Sequence, residues 1–414
     1  MDLRLDVAFY NDQEKELLKN NYPLEFDKIN KVVESKFIEV PFADFKTYSQ
    51  MHHRNSWIQK LNSFLSISQE IGDLYGNVKV YTKFDIATGM FNSEGTDNNE
   101  QNHVSESIGC GGILSVLGAI YGLTQADWQR IDIKGHRDFD FDSAVIEGFD
   151  KMLVVEAKGS IVEANTLKAK LSNHKIKIKE KKEDEHFKNK YSKGADLLIG
   201  GITAIDAVNH AKVYLVDPPM SSDMSRDFRY KIKILKRLTY YLDWLTLISS
   251  RSYLTLALKN RVKAIEKLDY IENLDSLKLV NANDEVLKIR DTFYESKSHI
   301  GKQIIGKLHI LDYKKAIFIG LSADLYDLLA IQNFEAISSY KTESSIEKKR
   351  INLKISNRDV ESLNFIRNTD INYKRTRSDS FQFIVEDAIV FQNSAGVNYS
   401  ILTSKNNYFF RKII

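Results

Sequence analysis

The chain has 414 residues, 43% hydrophobic and 28% charged, with a formal net charge of +3; that is enough for two or three folded domains and too polar for a membrane-embedded chain. Its one cysteine, Cys110, excludes an intrachain disulfide and a thiolate zinc cluster, and so mild a basic excess does not by itself call for nucleic acid. We read no apolar run near the roughly 18 residues that span a bilayer, and the opening MDLRLDVAFY carries acids, so a cytoplasmic protein is expected.

Residues 1–92 read as an α/β segment. Leu3, Leu5 and Val7 alternate as a strand, Asn11 is placed to cap a helix through Asn20, and Lys36–Val40 and Asn77–Phe84 read as further strands. A helix is predicted over Arg54–Tyr75. The segment either binds a partner or enlarges the domain that follows. The polar, aperiodic stretch Asn92–His103 reads as a loop and a boundary. After it, Ser105 is predicted to cap a helix whose Ile108, Ile113, Leu114, Leu117 and Ile120 form a broad apolar stripe, with Glu106 in its first turn.

Ile131 and Ile133 lead toward a first core strand, and His136–Ser160, HRDFDFDSAVIEGFDKMLVVEAKGS, carries the chemistry. Asp138, Asp140 and Asp142 are two apart, which places them on one face of an extended strand. Glu147–Lys151 reads as a turn around Gly148. Met152–Val155 is an apolar strand, after which Glu156 and Lys158 share a face and Gly159 ends the strand. Such a hairpin brings Asp142, Glu156 and Lys158 together.

Two carboxylates and an ammonium suit hydrolysis of a phosphodiester. Hard oxygen donors can hold Mg²⁺, which takes one or two protein carboxylates and keeps several waters. The metal polarises a phosphoryl oxygen and acidifies water, and the lysine offsets developing charge. Glu-x-Lys recurs at Glu34, Glu156, Glu180, Glu295 and Glu347, but of these Glu156 alone follows an apolar strand preceded across a turn by an acidic one.

Phe141–Asp142, a spacer of one hairpin and Glu156–Ala157–Lys158 resemble the PD-(D/E)xK nuclease superfamily of restriction endonucleases, repair nucleases and phage-defence effectors. The proline that often precedes the family's Asp is Phe141 here, so Asp140 stands beside Asp142 as the first ligand. The resemblance implies an α/β (mixed α+β) fold with a restriction-endonuclease-like αβββαβ core over 104–220. It implies Mg²⁺, or Mn²⁺ in its place, held by Asp142, Glu156 and the Ala157 carbonyl, with Lys158 working on the attacking water. Some branches draw one more acid from the preceding helix, and Glu106 is the residue at that place. The implied substrate is double-stranded DNA, in restriction or anti-phage defence, with RNA as the alternative. A homodimer or a defence-system partner protein is the implied assembly. A catalytically inactive nuclease fold that docks DNA or a protein is the reading from another class.

Between Leu167 and Lys193 lie ten lysines. Alone they read as a solvated helix face; beside a phosphodiesterase site, Lys168, Lys170, Lys175, Lys177 and Lys179 become candidate contacts to the nucleic-acid backbone. This basic helical region is expected to run to about Asn209, including the apolar patch Ala195–Ile205, followed by a strand at Lys212–Val216. Residues 226–414 read as a C-terminal α+β domain for recognition, regulation or oligomerisation. It begins with a long helical pattern over Phe228–Leu268, broken near Ser249–Ser250. Two strand-like runs within Gln303–Leu321 follow, then a helix from Ser322 to Gln332, and antiparallel strands around the turn Asn393–Gly396. Lys374, Arg375 and Arg377 are further candidates for phosphate contact.

Overall fold

Strand β1 (Asp2–Phe9) buries Leu3, Leu5, Val7 and Phe9 in strict alternation, as a half-covered strand requires. The computed structural model describes residues 2–51, 82–85, 87–94, 102–130, 141–146, 148, 151–187, 196–216, 225–250, 252–268, 271, 298–301, 303–310, 315–356 and 381–403. It is a mixed α and β protein with several sheets, and the chain divides into two compact units, Met1–Lys236 and Arg237–Ile414.

In the first unit, Asn11 caps α1 (Asp12–Asn21), its side chain accepting from the Glu14 amide at 2.9 Å. Helix α2 (Pro23–Glu34) starts on a proline, which costs nothing in the first turn because that amide has no helical acceptor. Strand β2 (Phe37–Pro41), helix α3 (Phe42–Gln50) and the hairpin β3 (Thr82–Asp85) and β4 (Met90–Ser93) follow. Next come α4 (Asn102–Tyr121), β5 (Gln129–Arg130), β6 (Phe141–Val145), β7 (Met152–Ile161), α5 (Ser172–Phe187), β8 (Leu197–Ile205) and β9 (Lys212–Val216).

One seven-stranded sheet has the order β2-β1-β9-β8-β7-β6-β5. Strands β5, β6 and β7 form an antiparallel meander, β8 returns parallel to β7 after α5, and β9 is antiparallel to β8. Strand β1 joins β9 in parallel, so residues 2–41 extend the same sheet as the hairpin. The expected boundary at Asn92–His103 thus separates two parts of one unit.

Two helices cover opposite faces at β7 and β8. Gly112 lies against Thr203, and Ile113 against Gly201, so α4 covers the face of Ala157, Gly159, Gly201 and Thr203. Ile178 of α5 lies against Gly200 on the other face. Without side chains at Gly200 and Gly201 both helices reach the sheet backbone.

Several expectations are corrected. The apolar patch expected within the helical region is not helical where it is described: Leu197–Ile205 is a central strand with every residue buried. Continuous apolar runs do not distinguish a buried helix from a buried strand, and the two glycines and β-branched residues decide for the strand here. Strand β7 runs past Gly159 to Ile161, because Gly159, Ser160 and Ile161 stay paired with Thr203, Ala204 and Ile205 of β8; Gly159 is where α4 presses on the strand. Helix α4 starts before Ser105, so Ser105 is no cap. Val104–Tyr121 does have the length and apolarity of a membrane-crossing helix, and 78% of it is buried inside the protein, the signature of a core helix. The helix read over Arg54–Tyr75, the strand residues Ile131 and Ile133, the acids Asp138 and Asp140, and the cluster Lys374, Arg375 and Arg377 lie outside the described residues.

In the second unit lie the rest of α6 (Arg226–Ser249) and α7 (Tyr253–Glu266), so α6 ends at the predicted break near Ser249–Ser250. Strands β10 (Ser298–Ile300), β11 (Ile304–Ile310) and β12 (Lys315–Ser322) precede the helices α8 (Ala323–Ile331) and α9 (Phe334–Ser339). Strands β13 (Ser345–Ile355), β14 (Phe381–Gln392) and β15 (Val397–Thr403) complete a closed antiparallel barrel of order β10-β11-β12-β15-β14-β13. Its core includes Leu308, Phe318, Ile351, Leu353, Val390 and Leu402. Ser322 stands at the N-terminus of α8 as predicted, but its hydroxyl donates to the Gly396 carbonyl at 3.2 Å instead of capping the helix.

Candidate functional site

Glu156 and Lys158 point from β7 to the face covered by α5. Glu156 is paired in register with Gly200 and Lys158 with Ile202. The Glu156 carboxylate is fully buried, which a charged group tolerates only when it is paired. Two ammoniums pair it: Lys158 contacts its Oε1, and Lys181 of α5 donates to the same oxygen at 2.6 Å. The Lys158 and Lys181 side chains are 22% and 23% exposed. Solvent therefore reaches the lysines and not the acid.

Helix α5 supplies Lys181 because His174, Ile178 and Lys181 are spaced four and three apart, along one helix face. Ile178 seats this face on Gly200. His174 is held below its ordinary pKa, first by burial and then by the charges of Lys158 and Lys177, so its imidazole is neutral at neutral pH.

Asp142 lies on the neighbouring strand. Its backbone pairs with Gln129 on one side. On the other side Phe141 is opposite Val155, and the register shifts between Phe141 and Ala144. Asp142 thus lies in a β-bulge beside the Glu156 strand, a local irregularity that re-aims side chains and is common next to active sites. The Asp142 side chain and the whole of Asp140 lie outside the described residues. Gly148 has a φ of 83°, the left-handed conformation expected of the turn.

The Ala157 backbone, whose carbonyl the resemblance implies as a metal ligand, is in the same strand, its side chain buried toward α4. Glu106 is exposed on α4, the helix over the face opposite to the Glu156 carboxylate. Among the described residues no group of three or more His, Cys, Asp or Glu side chains is placed to hold a metal ion.

The five candidate lysines divide into two sets. Lys175 and Lys179 end on Oε1 of Glu14, at 3.1 and 2.9 Å, and Glu14 is only 2% exposed. Lys175 also lies 4.9 Å from the centre of the Tyr10 ring. Lys168, Lys170 and Lys177 are exposed. The carboxyl of Glu14 is pushed up by burial, but the hydrogen bonds and charges of Lys179 and Lys175 outweigh this and hold it below its ordinary value.

Lys181 and Glu14 were missed from the sequence. A lysine on the apolar stripe of α5 was the available signal for Lys181; nothing local marks Glu14, whose partners lie far along the chain. Compared with protein-family models, curated proteins and solved structures, the chain matches none.

Proposed function

We propose that the Met1–Lys236 unit is a metal-dependent phosphodiesterase of the PD-(D/E)xK kind, with DNA as its substrate. The observation that carries this reading is the fully buried Glu156 carboxylate with Lys158 two residues on, beside a bulged strand that carries Asp142. Support comes also from the order helix, three antiparallel strands, helix and parallel strand, from α4 through β8, an order compatible with the αβββαβ core that the resemblance implies.

The donor types suit a hard cation that would take the place of Lys158 and Lys181 at the Glu156 oxygen: Glu156, the Ala157 carbonyl and Asp142 offer only oxygen, and Mg²⁺ or Mn²⁺ accepts few protein oxygens beside water. When bound there, such an ion supplies a Lewis acid and a more acidic water. Glu156 is held on a central strand between two helices, so its carboxylate is fixed before substrate arrives. Lys158 orients the attacking water and offsets charge that develops on the phosphate. The water oxygen bonds to phosphorus, the P–O3′ bond breaks, and the leaving oxygen takes a proton to give a 3′-hydroxyl and a 5′-phosphate.

Nicking of supercoiled plasmid under Mg²⁺ or Mn²⁺ titration tests this. Cleavage must disappear with EDTA, and in Glu156→Gln and Lys158→Ala proteins shown to be folded. An RNA of the same length, run alongside, separates a ribonuclease. A nuclease fold that binds without cutting is the second reading, favoured by the two ammoniums that already occupy Glu156. DNA binding with no cleavage in any divalent metal would decide for it.

A further inference from the structure

Lys158 alone would neutralise Glu156. Yet Lys181 reaches the same oxygen from α5, at 2.6 Å, and it does so from a helix face whose neighbouring member, Ile178, is fully buried. A lysine on the apolar side of a helix loses hydration that it would keep on the solvent side. Both ammoniums retain about the same narrow access to solvent while the carboxylate beneath has none. Whatever enters from solvent at this point therefore meets two cations first, and the ligand that fits is an anion with several acceptor oxygens. A lysine binds such a group as a point charge.

We propose that Lys181 is a further catalytic residue, whose ammonium holds a non-bridging oxygen of the scissile phosphate while Lys158 serves the attacking water. This rests on the nuclease reading above. The ammonium donates a hydrogen bond and makes or breaks no covalent bond. It stabilises the charge that develops on the oxygens of the five-coordinate phosphorus and also contributes to binding before any metal is present. The division of labour follows from the fold: Lys158 is fixed on the rigid strand, and Lys181 comes from the helix on the same face.

The test uses the full chain and a labelled DNA duplex. Affinity is measured in EDTA, and single-turnover cleavage at saturating protein is measured in Mg²⁺, for the wild type, Lys181→Gln, Lys181→Arg and Glu183→Gln, the last an exposed residue of the same helix. Lys181→Gln is expected to lower the saturated rate about 100-fold and to weaken binding in EDTA several-fold, whereas Glu183→Gln leaves the saturated rate unchanged. Lys181→Arg keeps a cation on Glu156 and hence the fold, and is expected to lose about tenfold in rate because a planar guanidinium replaces a point charge. A wild-type saturated rate in Lys181→Gln, or in Lys181→Arg if the first variant is misfolded, overturns the proposal and leaves the nuclease reading standing. If the wild type cuts nothing while its affinity in EDTA still depends on Lys181, the nuclease reading falls and a phosphate-binding Lys181 remains. Neither cleavage nor Lys181-dependent binding removes both.

Discussion

Gly159 of β7 and Gly109 of α4 lie backbone to backbone: a Cβ on Gly109 would stand 2.6 Å from the Gly159 nitrogen, and one on Gly159 would stand 2.6 Å from the Gly109 nitrogen. This close approach is one residue from Lys158, so helix α4 seats the strand that carries the candidate site. Rotamer changes cannot relieve a clash between two backbones. Gly159→Ala is expected to cost about 3 kcal/mol, the upper range for overpacking. Gly109→Ala is expected to cost less, because alanine returns up to about 1 kcal/mol of helix propensity. Urea unfolding of both variants checks the order, and equal midpoints for variants and wild type would remove the argument.

Glu156→Gln leaves Lys158 and Lys181 without the charge they surround. Breaking a buried ion pair from one side costs about 3 kcal/mol, so the variant should be destabilised as well as inactive. Its urea midpoint should rise when Lys181→Met is added, since the second change removes an uncompensated ammonium. A double variant no more stable than the single one would show that the pair is not coupled.

Glu14 fastens α5 through Lys175 and Lys179. Its folded pKa lies below the ordinary 4.5, so its stabilising contribution is complete above about pH 5 and is lost as the pH falls through the lowered value. Glu14→Gln should cost about 2 kcal/mol at pH 7 and should flatten that acid limb. Unfolding midpoints of both proteins between pH 7 and pH 3 provide the check.

If the unit binds DNA, the lysines of this region should not contribute alike. Lys168→Ala, Lys170→Ala and Lys177→Ala remove exposed charges, and each phosphate interaction removed lowers the slope of log affinity against log salt by about 0.9. Lys175→Ala and Lys179→Ala should act on stability instead and leave the slope nearly unchanged. A salt titration of the five variants separates the sets; identical slopes in all five would contradict the division.

His309 of the barrel is buried, and burial first, then the charge of Lys307, lowers its pKa to about 3. The unfolded chain takes up a proton near pH 6.5 and the folded chain does not. The stability that goes with the neutral imidazole is therefore whole above pH 6.5 and declines as the pH falls toward about 3. His309→Leu should lose less stability than the wild type between pH 7 and pH 4. Thermal unfolding across that range measures it.

The sequence alone determined what depends on near neighbours. The alternation of Leu3, Leu5 and Val7 placed β1, Asn11 marked the start of α1, and the change of polarity after Val155 located Glu156 and Lys158 on one strand face. Gly148 and Gly396 marked their turns because φ values of 83° and 78° are left-handed and suit glycine. Only the tertiary structure decided what depends on residues brought from afar. Leu197–Ile205 is apolar throughout, and such a run is equally a buried helix or a buried strand until β7 and β9 pair with it. Lys175 and Lys179 look like any solvated lysines until Glu14 stands before them. Lys181 joins Glu156 because Gly200 leaves space for Ile178 to seat α5, and the barrel closes only where β10 meets β13. Local periodicity encodes which face of an element is apolar; it does not encode which distant charge that face will meet.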